Sequence, residues 1–452
     1  MAIPHDNYVL RLHEKDGTLM HMNVLDLVHV SATDRAALVE WGYGRRASVD
    51  TAGFTVIRFN ALGSVIGQFS KTLCSFPGLE CGNFELETGQ LVPMTDGVIL
   101  AGTAKNIFSG APHPIAMRMD MAGNVRWSRK YAAEVGHPTS AKITSIVRLD
   151  APDRLLVSAF SSDDETWLFQ IDGTTGNLVS SRLVYYMHVR RLRMTTMGVL
   201  AVGETTAAFS FPEPAILALD PMGAVPQWLR TATWEDQGGD IGVRWFDIAE
   251  GKDVLLVVGN VVDHFGNDRA PRLAFLDKNS IPRPADIIRV MEPKLGDGLI
   301  RLRRVINHQD VVIPLTDGDV NSIFCVTGDV NNQPWSFAIA EDQRLHWQKA
   351  LRTPAGSTGR EVPMIWPSYE EIITGGFVTT ASVPRGFIAS SAVTNGRGVA
   401  DCSEETKVTF PDEKLYQHAP PPSDEALTMH VVDWSSDQGR DLDVKKGCLN
   451  LQ

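Results

Sequence analysis

The chain is short of cysteine, of long apolar runs and of basic charge, and each shortage excludes something. Its 452 residues hold five cysteines, Cys74, Cys81, Cys325, Cys402 and Cys448. No close Cys-x-x-Cys pair with a nearby histidine supplies four zinc ligands, so neither a metal nor a cofactor is expected. An odd number leaves at least one thiol unpaired. Cys325 lies in the β-type run Ser322-Ile323-Phe324-Cys325-Val326 and reads as a buried, inert thiol. Cys74 and Cys81 bracket a short Pro-Gly loop, while Cys402 and Cys448 bracket the C-terminal tail; either pair is a candidate disulfide in an oxidising compartment. Apolar runs such as Val254-Leu255-Leu256-Val257-Val258 fall far short of the roughly 20 residues that cross a bilayer, so direct membrane insertion is not expected. With 42 basic against 54 acidic residues the net charge is -12, a balance that repels a phosphate backbone. Nucleic acid is therefore not an expected partner.

Catalytic signatures are missing too. No GxSxG elbow, HExxH, P-loop or dinucleotide fingerprint occurs in a strand–turn–helix context. The acidic stretch Asp317-Gly318-Asp319-Val320-Asn321 lacks the glutamate that closes a calcium loop and reads as a polar turn. The first seven residues carry no positive segment or apolar run of an export signal, and no Asn-x-Ser/Thr sequon occurs.

What is present is a repeat. A β-run, a polar turn and a second β-run recur eight times, starting at Tyr8, Phe54, Ile115, Trp167, Ile216, Leu273, Trp335 and Phe387, at intervals of 46–62 residues. This is close to the period of kelch-like propeller blades. Upstream of seven of them sits an apolar run closed by small residues, as in Val199-Leu200-Ala201-Val202-Gly203 and Ile323 to Gly328, which suits a strand covered on both faces. A further short strand precedes each. Four strands recurring seven times predict an all-β protein, a single β-propeller of seven four-stranded blades; eight blades closed by N- and C-terminal strands is the alternative. The division that follows is an N-terminal β-hairpin (1–22), a propeller (23–403) and a C-terminal tail packing on it (404–452). The hairpin has two further roles open to it, closing the ring or pairing with a partner's sheet edge.

The stretch Gly97-Val98-Ile99-Leu100-Ala101-Gly102, followed by Ile115-Ala116-Met117-Arg118-Met119-Asp120 and Gly123-Asn124-Val125-Arg126-Trp127, resembles the blade repeat of bacterial β-propeller proteins. Trp228 and Trp347 match the tryptophan of that repeat in two other blades. The motif specifies architecture rather than chemistry. The resemblance implies an extracellular or surface-associated protein, and some such proteins carry a Cys just after the last blade, as Cys402 stands here; cytoplasmic residence or non-classical export is the alternative that the missing signal leaves.

One constellation stands out. The innermost strands, which line a propeller's channel, carry Arg148, Arg190, Arg193, Arg244, Arg301 and Arg303. In an acidic protein a ring of guanidinium groups forms a local anion site; the competing reading pairs them with acids such as Asp150 and Asp247. With no catalytic residue assigned, the expected function is a non-catalytic binding or assembly module. It would present loops or its channel mouth to a protein or glycan partner, alone, as a homo-oligomer, or as a structural subunit of a secreted or injection-type assembly. The alternative is an enzyme acting on an anionic glycan at the channel mouth, which calls for paired carboxylates or a histidine beside Arg193 and Arg303.

Overall fold

Every regular element among the described residues is a β-strand, and antiparallel pairing sorts the strands into six sheets, five of five strands and one of ten in which a hairpin joins two blades, so that seven blades make up a β-propeller. The computed structural model describes residues 9–446 except 15–19, 32, 44–51, 77–78, 107–108, 134–139, 152, 162–164, 206–211, 234–240, 264–265, 280–285, 297, 309–321, 355–356, 369–370, 381–382, 393–401, 411, 414–415, 419–423, 427–428, 434 and 439–441. The acidic stretch 317–321 lies outside this set, as does Cys448.

Blades 1 to 6 are continuous in sequence, at residues 20–76, 79–133, 141–185, 187–233, 241–291 and 300–351. Their innermost strands are Met20–His29, Leu79–Met94, Ala141–Arg148, Met187–Thr195, Ile241–Glu250 and Ile300–His308. Together with Thr358–Ser368 of blade 7 they pack in a closed cycle, the seventh against the first. The second strands explain the continuous apolar runs: all ten residues of Val254–Asp263 are buried, because neighbouring blades cover both faces. The Asp-x-x-Gly signals form hairpin turns as their chemistry requires. Asp120 Oδ1 accepts the backbone N–H groups of Ala122 and Asn124 at 2.9 Å. Gly123 adopts φ +84°, and a Cβ there would meet the Phe69 ring at 2.6 Å.

Blade 7 is composite. Thr358–Ser368, Glu371–Thr380 and Val383–Ala392 supply three strands, and the N-terminal strand Val9–Glu14 supplies the fourth, with Val9 opposite Ala389 and Arg11 opposite Phe387. Leu10 and Leu12 are buried against Met22, Val24 and Ile388, so hydrophobic burial as well as the ladder holds the first strand to the last blade. This corrects the hairpin expectation. Val9–Glu14 pairs with blade 7 and Met20–His29 opens blade 1, so a boundary at residue 22 cuts through a strand. Alternation in sequence could not separate a hairpin from two strands of different sheets.

The tail adds an element the sequence did not announce. Running backwards around the rim, it lays a fifth strand on every blade: Ser403–Glu405 on blade 6, Asp412–Glu413 on blade 5, Tyr416–His418 on blade 4 and Asp424–Ala426 on blade 3. Met429–Asp433 on blade 2, Ser435–Gln438 on blade 1 and Leu442–Lys446 on blade 7 complete the circuit. The belt covers seven sheet edges that would otherwise present unpaired N–H and C=O groups. Cys402, where it begins, is disulfide-bonded. Cys74 and Cys81 stand opposite each other across a hairpin, and Cys325 is a free, buried thiol.

Candidate functional site: the channel mouth

Six innermost strands carry a β-bulge that displaces one residue from the ladder: Leu25, Glu87, Thr144, Arg190, Phe246 and Arg303. A bulge inserts one residue against the partner strand and re-aims its side chain. All six of these side chains line one cavity of about 440 Å³. In blades 4 to 6 a glycine within the second strand, just after its apolar run, makes the bulge possible. Gly203, Gly259 and Gly328 pair with Val189, Trp245 and Leu302, the residues just before the bulge. A Cβ on any of the three would lie 1.8–2.1 Å from a carbonyl oxygen of the inner strand, that of His188, Arg244 or Arg301. The small residue of the repeat thus serves the inner strand's detour as well as blade packing.

The bulged residues of blades 4, 5 and 6 stack on one another. Arg190 and Arg303 each place their guanidinium carbon 5.1 Å from the centre of the Phe246 ring, cation–π contacts that fix all three side chains. Glu204 holds Arg190 through two charge-assisted bonds of 2.6 Å and also faces His188 at 3.3 Å. The His188 ring stacks on Phe160 at 3.6 Å. Opposite, Lys142 pairs with Glu87 at 2.7 Å. A second cavity of about 350 Å³ shares Asn23, Glu87 and Phe377 with the first. It holds a His21–Glu40 contact of 2.8 Å and a Lys105–Glu85 pair of 3.1 Å. The mouth is therefore basic toward blades 4 to 6 and acidic toward blades 1 and 2.

One position past each bulge come Asp26, Thr88, Ser145, Arg191, Asp247 and Arg304. Several of these side chains stitch one blade to the next through the backbone. Asp26 accepts Leu91 N–H at 2.8 Å, Ser145 accepts Leu192 N–H at 3.0 Å and Asp247 accepts Val305 N–H at 3.1 Å. Asp247 is wholly buried and saturated: it also takes Arg193 in a bidentate pair at 2.9 and 2.7 Å and its neighbour Ile248 N–H at 3.0 Å. Burial pushes its carboxyl up, but Arg193, Arg191 and Arg304 outweigh burial and hold it below the ordinary range. Asp26 goes the other way, raised by burial against the pull of Arg191.

Arg190 and Arg303 line the cavity, and Arg303 is anchored to Asp268 at 2.8 Å. Arg193 is locked on Asp247. Arg301 pairs with Asp329 at 2.9 Å, and Arg244 donates to Gly266 O at 3.2 Å while facing Glu204 at 3.5 Å. Arg148 is exposed. Strand alternation missed Arg191 and Arg304, because a bulge reverses parity. Arg190, Arg303 and Arg304 line the cavity, while Arg191 and Arg193 turn to the buried Asp247 at the middle of the ring. The closing glycines were the available signal. Among the described residues no cluster of three or more His, Cys, Asp or Glu side chains gathers to hold a metal ion.

Glu204 gives a testable pH dependence. Burial pushes it up, yet Arg190 and His188 hold it at about 2, below the ordinary value of 4.5. A carboxyl depressed in the folded state stabilises fully above its unfolded pKa and loses that contribution as pH falls through the folded one. Acid unfolding followed by circular dichroism should therefore lose stability between about pH 4.5 and 2. Glu204→Gln should flatten that limb and lower stability at pH 7.

No protein-family model matches the chain, and no curated protein matches it. Among solved structures it is similar to the Dos1 propeller, at 11% identity and TM-score 0.42 over 90% of this chain and 94% of that one. It is also similar to Bacteroides ovatus xyloglucan PUL GH43B, at 11% identity and TM-score 0.22 over 95% of this chain and 99% of that one. No residue-level argument passes from either. The propeller is defined by its own sheets.

Proposed function

We propose that this protein is a non-catalytic binding module, a β-propeller that offers its channel mouth to a protein or glycan partner, as a subunit of a secreted or surface assembly would. The observation that carries the reading is the convergence of bulged residues from six blades on one cavity. Pockets of about 300–1,000 Å³ with a few placed polar groups on apolar walls are where ligands bind, and bulges are devices for re-aiming side chains into such places. Binding is favoured over turnover because the acids beside the arginines are committed. Glu204 and Asp247 are held low by guanidinium partners, whereas a general acid near neutral pH needs the opposite shift; Asp26, which burial does raise, is bonded to Leu91 N–H and does not line the cavity. The disulfide at Cys402 supports residence outside a reducing cytosol.

The test is retention on glycan and peptide arrays by the wild-type chain and by Phe246→Ala. This substitution removes the ring between two arginines at a partly exposed position. Bound ligands should lose at least fivefold in retention while the melting temperature stays within a few degrees. Equal retention by both proteins, or none by either, would count against the mouth as the binding face.

A further inference from the structure

Two guanidinium groups in the channel are left short of partners, one with none among the described residues and one with a single long ion pair. Arg304 lines the mouth cavity, yet among the described residues its guanidinium makes no hydrogen bond and no ion pair. Beside it, Arg191 reaches Asp247 only at 3.8 Å, and its buried Nε and Nη1 have no acceptor. The acids that face these two, Asp247 and Asp26, are occupied: Asp247 carries four hydrogen bonds and Asp26 receives Leu91 N–H. Counting Arg193, three cations meet two carboxylates among the described residues of this cluster. Buried charge is costly unless it is paired and hydrogen-bonded, and a guanidinium with free parallel donors matches a carboxylate in bidentate geometry.

The rest of the cavity asks for something larger than an inorganic anion. Its volume is about 440 Å³, and Phe160 and Phe377 form partly exposed apolar wall. Across from the arginines, Glu87 Oε2 is a buried acceptor with no donor. A complementary ligand therefore brings an anion at one end, hydroxyl donors at the other and apolar C–H surface between. Resting on the mouth being a binding site, we propose that it takes the terminal sugar acid of an acidic saccharide. The carboxylate is seated on Arg304, which lines the cavity with Arg191 behind it as a second positive charge, and a ring hydroxyl donates to Glu87.

Isothermal titration of the full chain with a glucuronate-terminated disaccharide is the experiment, with its neutral glucose counterpart, inorganic phosphate and an acidic peptide as the other arms. One-site binding is expected for the uronate, at least tenfold weaker binding for the neutral sugar, and weak competition by phosphate. Arg304→Gln should weaken uronate binding at least tenfold while leaving the melting temperature unchanged or raised, because it removes a guanidinium that makes no bond among the described residues and repels Arg191 and Arg193. The assignment is overturned by equal affinity for the neutral sugar, by undiminished affinity in Arg304→Gln, or by binding of the acidic peptide in place of the uronate. Ligands that need Phe246 but not Arg304 would overturn the sugar-acid assignment and leave the mouth as a binding site. An absence of any Phe246-dependent ligand would overturn both.

Discussion

Ending the chain at Cys402 should destabilise the protein by at least ~5 kcal/mol and turn it into a self-associating species, because the truncation strips the fifth strand from all seven blades at once. Each belt strand adds two to five paired positions, and a backbone hydrogen bond contributes about 0.5–1.5 kcal/mol net. The belt also docks by side chains. Thr406 accepts from Trp335 Nε1 at 3.0 Å and donates to Gln348 at 2.7 Å. Gln348 also clamps the Val408 backbone at 3.0 and 3.1 Å. Phe410 packs 5.1 Å from the Phe337 ring. Native stability is only about 5–15 kcal/mol, so the loss is a large share of the whole. Seven opened edges become templates for intermolecular pairing.

Differential scanning calorimetry and light scattering on two truncations would separate the contributions. Ending the chain after residue 410 keeps the docked segment and blade 6's fifth strand, so it should fall between wild type and the truncation at Cys402. A truncated chain that stays monomeric with an unchanged melting temperature would show that the belt decorates the ring without bracing it.

The belt also marks the limit of what could be read from sequence. Blades are legible because burial writes itself in side chains. Runs such as Val254 to Val258 and Ile323 to Val326 must be apolar when both faces are covered, and the period between such runs counts the blades. A strand such as Asp412–Glu413 or Tyr416–His418 is held through backbone groups that every residue possesses, so it leaves no pattern. The N-terminal strand was visible as a strand, but its partner, which sets Ala389 opposite Val9, was not. At the mouth the arginines were visible and their facing was not. Alternation admits Arg190 with Leu192, or Arg191 with Arg193, while a bulge admits Arg190, Arg191 and Arg193 together. The clue was in the partner strand, where Gly203, Gly259 and Gly328 mark the place at which the inner strand departs from regular pairing.

Asp247→Asn should be the most damaging single substitution in the channel, costing about 3–5 kcal/mol, the range for removing one partner of a buried ion pair. The side chain is fully buried, and its two oxygens hold Arg193, Ile248 N–H and Val305 N–H. It therefore ties blade 4 to blade 5 and blade 5 to blade 6. Asparagine keeps the shape but turns one acceptor oxygen into a donor and removes the charge. Among the described residues of the cluster, Arg191, Arg193 and Arg304 would then face Asp26 alone, a carboxyl that burial already pushes toward its neutral form. For a chain of this size the cost corresponds to a fall of roughly 3–5 °C in melting temperature. If repulsion among orphaned guanidinium groups is the cause, adding Arg304→Gln should restore part of the loss, since coupled sites depart from additivity by 0.5–3 kcal/mol. A double variant as unstable as the sum of its parts would assign the damage to the lost bonds at Arg193 and Val305 instead. An unchanged melting temperature in Asp247→Asn would remove the charge cluster from the account of how this ring is held together.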